Sequence, residues 1–597
     1  MAKMSPATRS DSAISTTDGL PAPPEGRRLP IGYYLDNFER LLATVEGRDA
    51  DLLLDEDRVV IAAFKAASLG ARRLYVRLAS RRGPWFRTDR LDYPEIPELD
   101  AAVAELLGCG LLDRGDTTPE GRLASLDARL ALLRKPELVS LARARLEPPP
   151  ARSIGKDVLL FQLERDLPRE DLAAALERDW GERMVRLCGV ETLRTLRLLF
   201  FGNLRQTLSD FVIADLGILR YEAVELSPES RLFRDRRELE LARAAHDADL
   251  LLEWLLPDDI DEAIALVEPW RTEVEALTGT LRRRADGLLC RVGRALERLG
   301  REDEALRFYE PAHRPPARER RARLLDKLGR REEALRLAED VAREPRDEVE
   351  RGFGPSFAHR MRRKLGRPSK APPRRRPKRV ELALELDRSR PVEQQALDAW
   401  RELGWDGWHT ENRLWKTVIG LLLWDVIHAP VPGAFLHPFQ VGPLDLWTPE
   451  FAKPRSELIE KILKVPRTLS RPSEELTSGW LERFDEKSGL ANALVGSGPE
   501  LREALSALLE RAAPAALAAV CDRFLVDPRR MRTGFPDLLL VERGGDGLRL
   551  CEVKGPGDQL RPEQRSWLEA FSKAGFDAFV LNIEDCAAAL DDVPESP

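Results

Sequence analysis

Cysteine is scarce in this 597-residue chain, and the six present (Cys109, Cys188, Cys290, Cys521, Cys551 and Cys586) stand singly. No Cys-x-x-Cys pair or Cys/His cluster occurs, which argues against a structural zinc site. No disulfide framework is suggested either, and a reducing interior is the expected compartment. Long apolar runs are missing. A bilayer span needs about 20 such residues, and the polar stretch from Met1 to Gly19 lacks a signal core. Secretion and membrane insertion are therefore not expected. Aromatic residues are only 6% of the chain, and neither charge sign dominates: 95 Lys and Arg face 102 Asp and Glu, a net charge of −7. That balance leaves a nucleic-acid partner open, because local patches do the steering and not the sum.

What is present is helix-forming. Leu, Ala, Arg and Glu dominate, which favours helix. Charged residues reach 33%, against a usual share of about 25%. The length exceeds the roughly 250–300 residues that one core supports, so several domains are expected. Residues 1–28, rich in Ser, Thr, Pro and Ala, read as a disordered leader. Then follow a helical region over 29–132, a second helical segment over 133–235, a helical repeat over 236–378 and a catalytic region over 379–597. Phe38, Leu41, Leu42 and Val45 fall at i, i+3, i+4, i+7, one face of a helix.

Three stretches suggest phosphate contacts or scaffolding. Arg72, Arg73, Arg77, Arg81, Arg82 and Arg87 share a segment with Tyr75, Trp85 and Phe86 and no acid. Arginine forks bind phosphate and aromatics stack on bases, so this reads as a nucleic-acid face; a solvated basic helix is the alternative. Around 133–165 two amphipathic helices flank Pro148-Pro149-Pro150, with Gly155-Lys156 opening the second. The pair resembles a SAP module, which makes Lys156 a DNA-binding candidate. Leu299-Gly300-Arg301-Glu302-Asp303-Glu304-Ala305-Leu306-Arg307 returns as Leu328-Gly329-Arg330-Arg331-Glu332-Glu333-Ala334-Leu335-Arg336. This register resembles tetratricopeptide helix pairs, a stacking scaffold. Residues 360–379 then carry eleven Lys or Arg, four Pro and no acid. The prolines disfavour a regular helix, leaving a linker, a phosphate-binding strap, or both.

The C-terminal region holds the chemistry. Leu538–Val541 reads as a buried strand, residues 542–547 as a turn, and Leu548–Lys554 as a second strand. Glu552 and Lys554, two apart, share one strand face, and Asp537 at the start of the partner strand reaches the same face. Two carboxylates and a lysine then converge. Hard oxygen ligands of this kind hold Mg²⁺ or Mn²⁺, with the Val553 carbonyl as a further ligand. Such a cation activates water for phosphodiester hydrolysis, and the lysine offsets charge developing on the phosphate. The spacing Pro536-Asp537-x14-Glu552-x-Lys554 is the PD-(D/E)xK nuclease pattern.

The surrounding residues extend the match. Glu552-Val553-Lys554-Gly555-Pro556, then Asp558, Leu560, Gln564 and Trp567-Leu568, resemble the virus-type replication-repair nuclease (VRR-NUC) domain. More narrowly they resemble the Fanconi-associated nuclease family. Glu411-Asn412-Arg413-Leu414-Trp415, Gly420–Ile427 and Phe439–Leu446 are similar to that family too, as are Tyr33-Tyr34, Asp51–Leu54 and Leu74–Leu78. The resemblance implies a multidomain, mainly α protein with a C-terminal α/β PD-(D/E)xK core. A winged-helix-like and SAP region and a tetratricopeptide-like repeat would precede it. It implies metal ligands Glu411, Asp537, Glu552 and the Val553 carbonyl, a catalytic Lys554, and Gln440 supporting the site. Asp558 matches a position of less definite role; Arg532 is the candidate scissile-phosphate contact, with Gln564 also placed toward DNA.

The implied activity is 5′-flap endonuclease and 5′-to-3′ exonuclease cleavage of branched DNA in interstrand crosslink repair. No small-molecule cofactor is implied, and a monomer is expected in preference to a dimer. The long ubiquitin-binding extension of animal members has no counterpart here, which points to a bacterial member; the expected location is cytoplasmic and nucleoid-associated if bacterial, nuclear if eukaryotic. Rival readings are a Holliday-junction resolvase or restriction-type enzyme on the same core, and a non-catalytic repair scaffold. Asp425, placed about four turns above Glu411, and Asp445 are expected as buried hydrogen-bonded aspartates. His409, His428 and His437 fit no zinc spacing. Cys551 is expected in the core, and Trp405, Trp408, Trp415 and Trp424 as packing.

Overall fold

A computed structural model describes residues 30–586 apart from 117, 152, 207–219, 257 and 373–375. The expected leader, and Arg374 and Arg375 of the basic strap, lie outside the described residues. Two compact units divide the chain between Leu219 and Arg220.

In the first unit, α1 (Tyr33–Asp49), α2 (Asp55–Ala66) and α3 (Leu69–Ala79) precede β1 (Trp85–Arg87), α4 (Leu99–Gly108), β2 (Leu112–Asp113), α5 (Lys135–Arg143), α6 (Lys156–Asp166) and β3 (Met184–Leu187). The strands form an antiparallel sheet in the order β1-β3-β2. The face of α1 read from the sequence is buried: Phe38, Leu41, Leu42 and Val45 all lie in the core. The expected helix pair is present as α5 and α6, which share a core through Leu138, Leu141, Leu159 and Leu163. The Lys156 ammonium donates to the Ala131 carbonyl at 2.8 Å, at the start of α6.

The basic segment departs from its sequence reading. Tyr75, Trp85 and Phe86 are buried, so they pack the core and do not stack on bases. Arg72 pairs with Glu39, Arg77 with Glu95, and Arg87 with Asp89 and Glu137. Arg73 donates to the Glu95 carbonyl. The acids come from elsewhere in the chain, which is why a segment without acids looked free. Arg81 and Arg82 remain exposed, Arg81 donating to the Tyr93 hydroxyl.

The second unit begins with a helical array that includes α7 (Gly279–Arg298), α8 (Glu302–Tyr309), α9 (Ala317–Lys327), α10 (Arg331–Arg343) and α11 (Glu348–Lys364). The sequence repeat marks the two turns. Gly300 and Gly329 sit at φ +74° and +78°, a conformation glycine adopts without penalty. In each turn the following arginine N–H reaches back to Leu296 or Leu325 and the glycine N–H to Glu297 or Asp326, the paired bonds of a Schellman stop. Arg301 and Arg330 then each fork onto the glutamate three residues on, Glu304 and Glu333.

The first part of the strap after this array is packed on it. Its first residues complete α11, against the expectation from its prolines, because all four prolines fall beyond Lys364. Arg362 pairs with Glu339, Lys364 with Asp326 and Arg367 with Glu332. Acids of the repeat face thus take up these three cations.

The catalytic region is built on a five-stranded sheet: β4 (Lys378–Leu384), β5 (Trp405–His409), β6 (Leu538–Glu542), β7 (Leu548–Lys554) and β8 (Asp577–Asp585), in the order β4-β8-β7-β6-β5. β6 and β7 are the antiparallel hairpin expected from the sequence, and β7–β8 is a parallel pair joined by α14 (Pro562–Ala574). Alternate residues face opposite layers. Leu538, Leu540, Cys551 and Val553 pack on α12 (Val392–Glu402) through Leu397 and Trp400. Leu539, Leu550 and Val580 pack in the larger core with α13 (Arg413–Leu422), through Trp415, and α14, through Trp567 and Phe571. Cys551 and Trp415 are therefore core, as the sequence suggests, and Trp424 is buried as well.

Candidate active site

The side chains of Asp537, Glu552 and Lys554 have the parity of Leu539 and Leu550, the face covered by α13 and α14. Register brings them together: Leu538 pairs with Cys551, so Asp537 lies level with the stretch from Glu552 on. The Val553 N–H donates to Asp537 Oδ2 at 2.9 Å. Lys554 Nζ lies 2.8 Å from Glu552 Oε1.

Glu411 joins through the backbone. The N–H groups of Thr410 and Glu411 donate to the Asp537 carbonyl at 2.9 and 3.1 Å. Glu411 has φ +41°, the single non-glycine residue with positive φ among the described residues. Such strain persists only where surroundings impose it, and it gathers at functional sites. It turns the chain from β5 into α13 and leaves the Glu411 carboxylate exposed at the rim. The expectation that one helix carries Asp425 about four turns above Glu411 is corrected here. The helix spans Arg413–Leu422 and breaks at Leu423. Asp425 is thus not stacked above Glu411; it is exposed and pairs with Arg483 at 3.3 Å. Asp445 forks onto the fully buried Arg455 guanidinium.

Glu552 is 0% exposed. Burial and the neighbouring Asp537 carboxylate push its pKa up to about 8, incompletely offset by Lys554. Burial raises Asp537 too, against the Val553 N–H and Lys554. Glu552 Oε2 is buried with no hydrogen-bond partner among the described residues. Two adjacent carboxylates held at a cost in solvation, one with an orphaned oxygen, fit a hard divalent cation. Among the described residues no three His, Cys, Asp or Glu side chains already stand at ligating spacing; the buried pair is assembled and Glu411 borders it.

Two residues expected to have other roles sit differently. Gln564 was placed toward DNA, but it is buried and donates to Glu552 Oε1, while its own Oε1 accepts from the Arg561 N–H at the start of α14. Facing inward from that first turn, it is a support of Glu552. Gln440 was expected beside the metal ligands. Its amide is spent on its own loop, accepting from Leu436 and His437 and donating to Ala434 and Gly442. Asp558 likewise accepts from Gly555 N–H within its turn.

Arg532 is half-buried, its guanidinium 5.2 Å from the Trp447 ring centroid. Gly534 follows at φ +88°, its N–H donating to Asn412 Oδ1 at 3.1 Å. A β-carbon there would stand 2.9 Å from the Gln564 backbone nitrogen. Lys416 was missed by sequence reasoning. It is half-buried one turn into α13 and lies within electrostatic reach of Arg532 and Glu411. No linear motif marks it, because its neighbours are distant in sequence. His409, one of the three histidines that fit no zinc spacing, acts electrostatically on Asp537. It ends β5 opposite Leu538.

Residues 32–113 match the family model "FAN1, HTH domain" and residues 473–585 the model "VRR-NUC domain". The chain is 34% identical to the Fanconi-associated nuclease 1 homolog of Pseudomonas aeruginosa, over 92% of this chain and 95% of that one. It is 25% identical to Fanconi-associated nuclease 1 of Homo sapiens, over 92% of this chain and 62% of the human protein. Among solved structures it resembles paFAN1 bound to a 2-nt 5′-flap DNA with a gap. That match has a TM-score of 0.78 and 33% identity, covering 94% of this chain and 99% of the other.

Proposed function

Because this chain belongs to the Fanconi-associated nuclease family, a family of structure-specific DNA nucleases, we propose that it cuts branched duplex DNA near a 5′ flap and also degrades 5′-to-3′, in interstrand crosslink repair. The observation that carries the reading is the buried Asp537–Glu552 pair with Lys554 against it. A divalent cation belongs with this nuclease class; Mg²⁺ or Mn²⁺ is our assignment. Asp537, Glu552 and the Val553 carbonyl would hold it, with Glu411 at the rim. When bound, it polarises the scissile phosphate and acidifies a water.

The remaining work falls to the chain's own groups. Lys554, whose ammonium lies 2.8 Å from Glu552 Oε1, would present that charge to the phosphate oxygens. Gln564 holds the Glu552 carboxylate in one orientation. Arg532 meets the phosphate strand from the Glu411 side. Arg81, Arg82 and Lys156 of the first unit are assigned to duplex phosphates, contacts that position without reading sequence. The 29–132, 133–235, 236–378 and 379–597 divisions are proposed as the DNA-gripping, SAP-like, scaffold and nuclease parts. A nucleoid-associated monomer is the form we assign.

The test is an end-labelled 5′-flap duplex with and without Mn²⁺, beside nicked and four-way substrates. Flap-directed, metal-dependent products are expected. Asp537→Ala and Glu552→Ala should abolish cutting while flap binding survives, and unchanged cutting by both would refute the site.

A further inference from the structure

Lys416 and Arg532 carry like charges and lie within electrostatic reach of each other. The Gly534 N–H bond to Asn412 Oδ1, 3.1 Å long, staples the start of α13 to the loop ending in Gly534. Lys416 lies one turn beyond Asn412 on the same helix face, and Arg532 lies two residues before Gly534. Both are half-buried. Neither side chain makes a hydrogen bond or ion pair among the described residues; Arg532 has only the Trp447 ring. This is unusual company in a chain whose arginines are widely paired, Arg413 donating to the Ser497 carbonyl just beside them. Burial and the Arg532 guanidinium hold the Lys416 ammonium below the usual lysine range, and Glu411 offsets them only in part.

Two half-buried cations that Glu411 offsets only in part cost free energy that an anion recovers. Lys416 also lies within electrostatic reach of Glu411, on the rim of the carboxylate pair. We propose that Lys416 is a second phosphate-binding arm of the active site, closing with Arg532 on a single DNA backbone phosphate next to Glu411. The proposal rests on the nuclease reading above. It adds to it a residue that touches substrate and a geometry: guanidinium fork from the 532–534 loop, ammonium from α13, one phosphodiester between them.

The test is Lys416→Met, which keeps the aliphatic stem, together with Lys416→Arg. Both are assayed in the full chain on an end-labelled 5′-flap duplex with Mn²⁺. Losing a charge-assisted contact should lower kcat/KM about 10- to 100-fold, with K416R restoring part of it and the melting temperature unchanged. A second measurement follows binding without divalent cation to duplexes carrying one neutral methylphosphonate, stepped along the strand near the cut. One position should weaken wild-type binding and weaken K416M binding clearly less, since only the Arg532 contact to that phosphate then remains. If K416M cuts within twofold of wild type, or no methylphosphonate position couples to it, the proposal is overturned, whatever K416M does to stability. If wild type itself fails to cut, the nuclease reading fails instead.

Discussion

Gln564 joins Glu552 to the N-terminus of α14: its amide N–H₂ donates to the Glu552 carboxylate while its carbonyl oxygen caps the Arg561 N–H. One side chain thus ties the orientation of a buried carboxylate to the position of a helix. Gln564→Ala should leave that carboxylate free to rotate. Groups that orient a ligand typically matter about 10–100-fold in metal affinity or activity. A Mn²⁺ titration of flap cutting should show a fall of that size in Q564A, with far-ultraviolet circular dichroism unchanged.

The Glu552 carboxyl titrates near 8, above its unfolded value, because burial and Asp537 disfavour its charge. Stability linked to this group is complete below the ordinary carboxylate range and is lost as pH rises through about 8. Glu552→Gln keeps the shape and cannot ionise. Without divalent cation, E552Q should melt above wild type at pH 9, and the gap should close by pH 5. A constant gap across that range would contradict the linkage, whereas cutting should be lost at every pH.

Gly534 has no room for a side chain. A β-carbon would meet the Gln564 backbone nitrogen at 2.9 Å, and the backbone lies at φ +88°. Left-handed backbone costs about 1–2 kcal/mol in a residue with a β-carbon, and the contact adds to it. Gly534→Ala should lower the denaturation midpoint and depress cutting, since the same loop carries Arg532 and braces Gln564.

Arginines of the first unit should divide by role. Arg77 stacks on Tyr34, its guanidinium carbon 3.9 Å from the ring centroid, and pairs with Glu95. Arg77→Ala should therefore reduce thermal stability more than it alters salt-dependent DNA binding. Arg81 and Arg82 are exposed; replacing both with Ala should leave the melting temperature in place and make binding less steeply dependent on salt, by roughly one counterion per lost contact.

Gly329 ends α9 at φ +78° in the second copy of the repeat turn. Gly329→Ala should cost about 1–2 kcal/mol through that backbone conformation alone, read as a shift in urea midpoint with an unchanged slope.

Local order was legible in the linear chain wherever the signal is short-range. The β6–β7 hairpin follows from two apolar runs around Gly544, Gly545 and Gly547, and strand alternation alone puts Glu552 and Lys554 on one face. The repeat glycines mark both helix stops, and the face of α1 follows from helical periodicity. Side-chain partners brought from distant segments were not legible. Arg77 and the 362–367 cations looked free because Glu95, Glu339 and Glu332 lie elsewhere in sequence. Gln564 and Gln440 could not be assigned by motif position, since an amide serves whichever polar group the fold sets within about 3 Å. Glu411 reaches Asp537 through a strained backbone turn, and the Asn412–Gly534 bond ties the helix of Lys416 to the loop of Arg532. Residue types and spacing settle which chemistry the chain can perform; only tertiary packing decides which charges are spent on one another and which stay available for a phosphate.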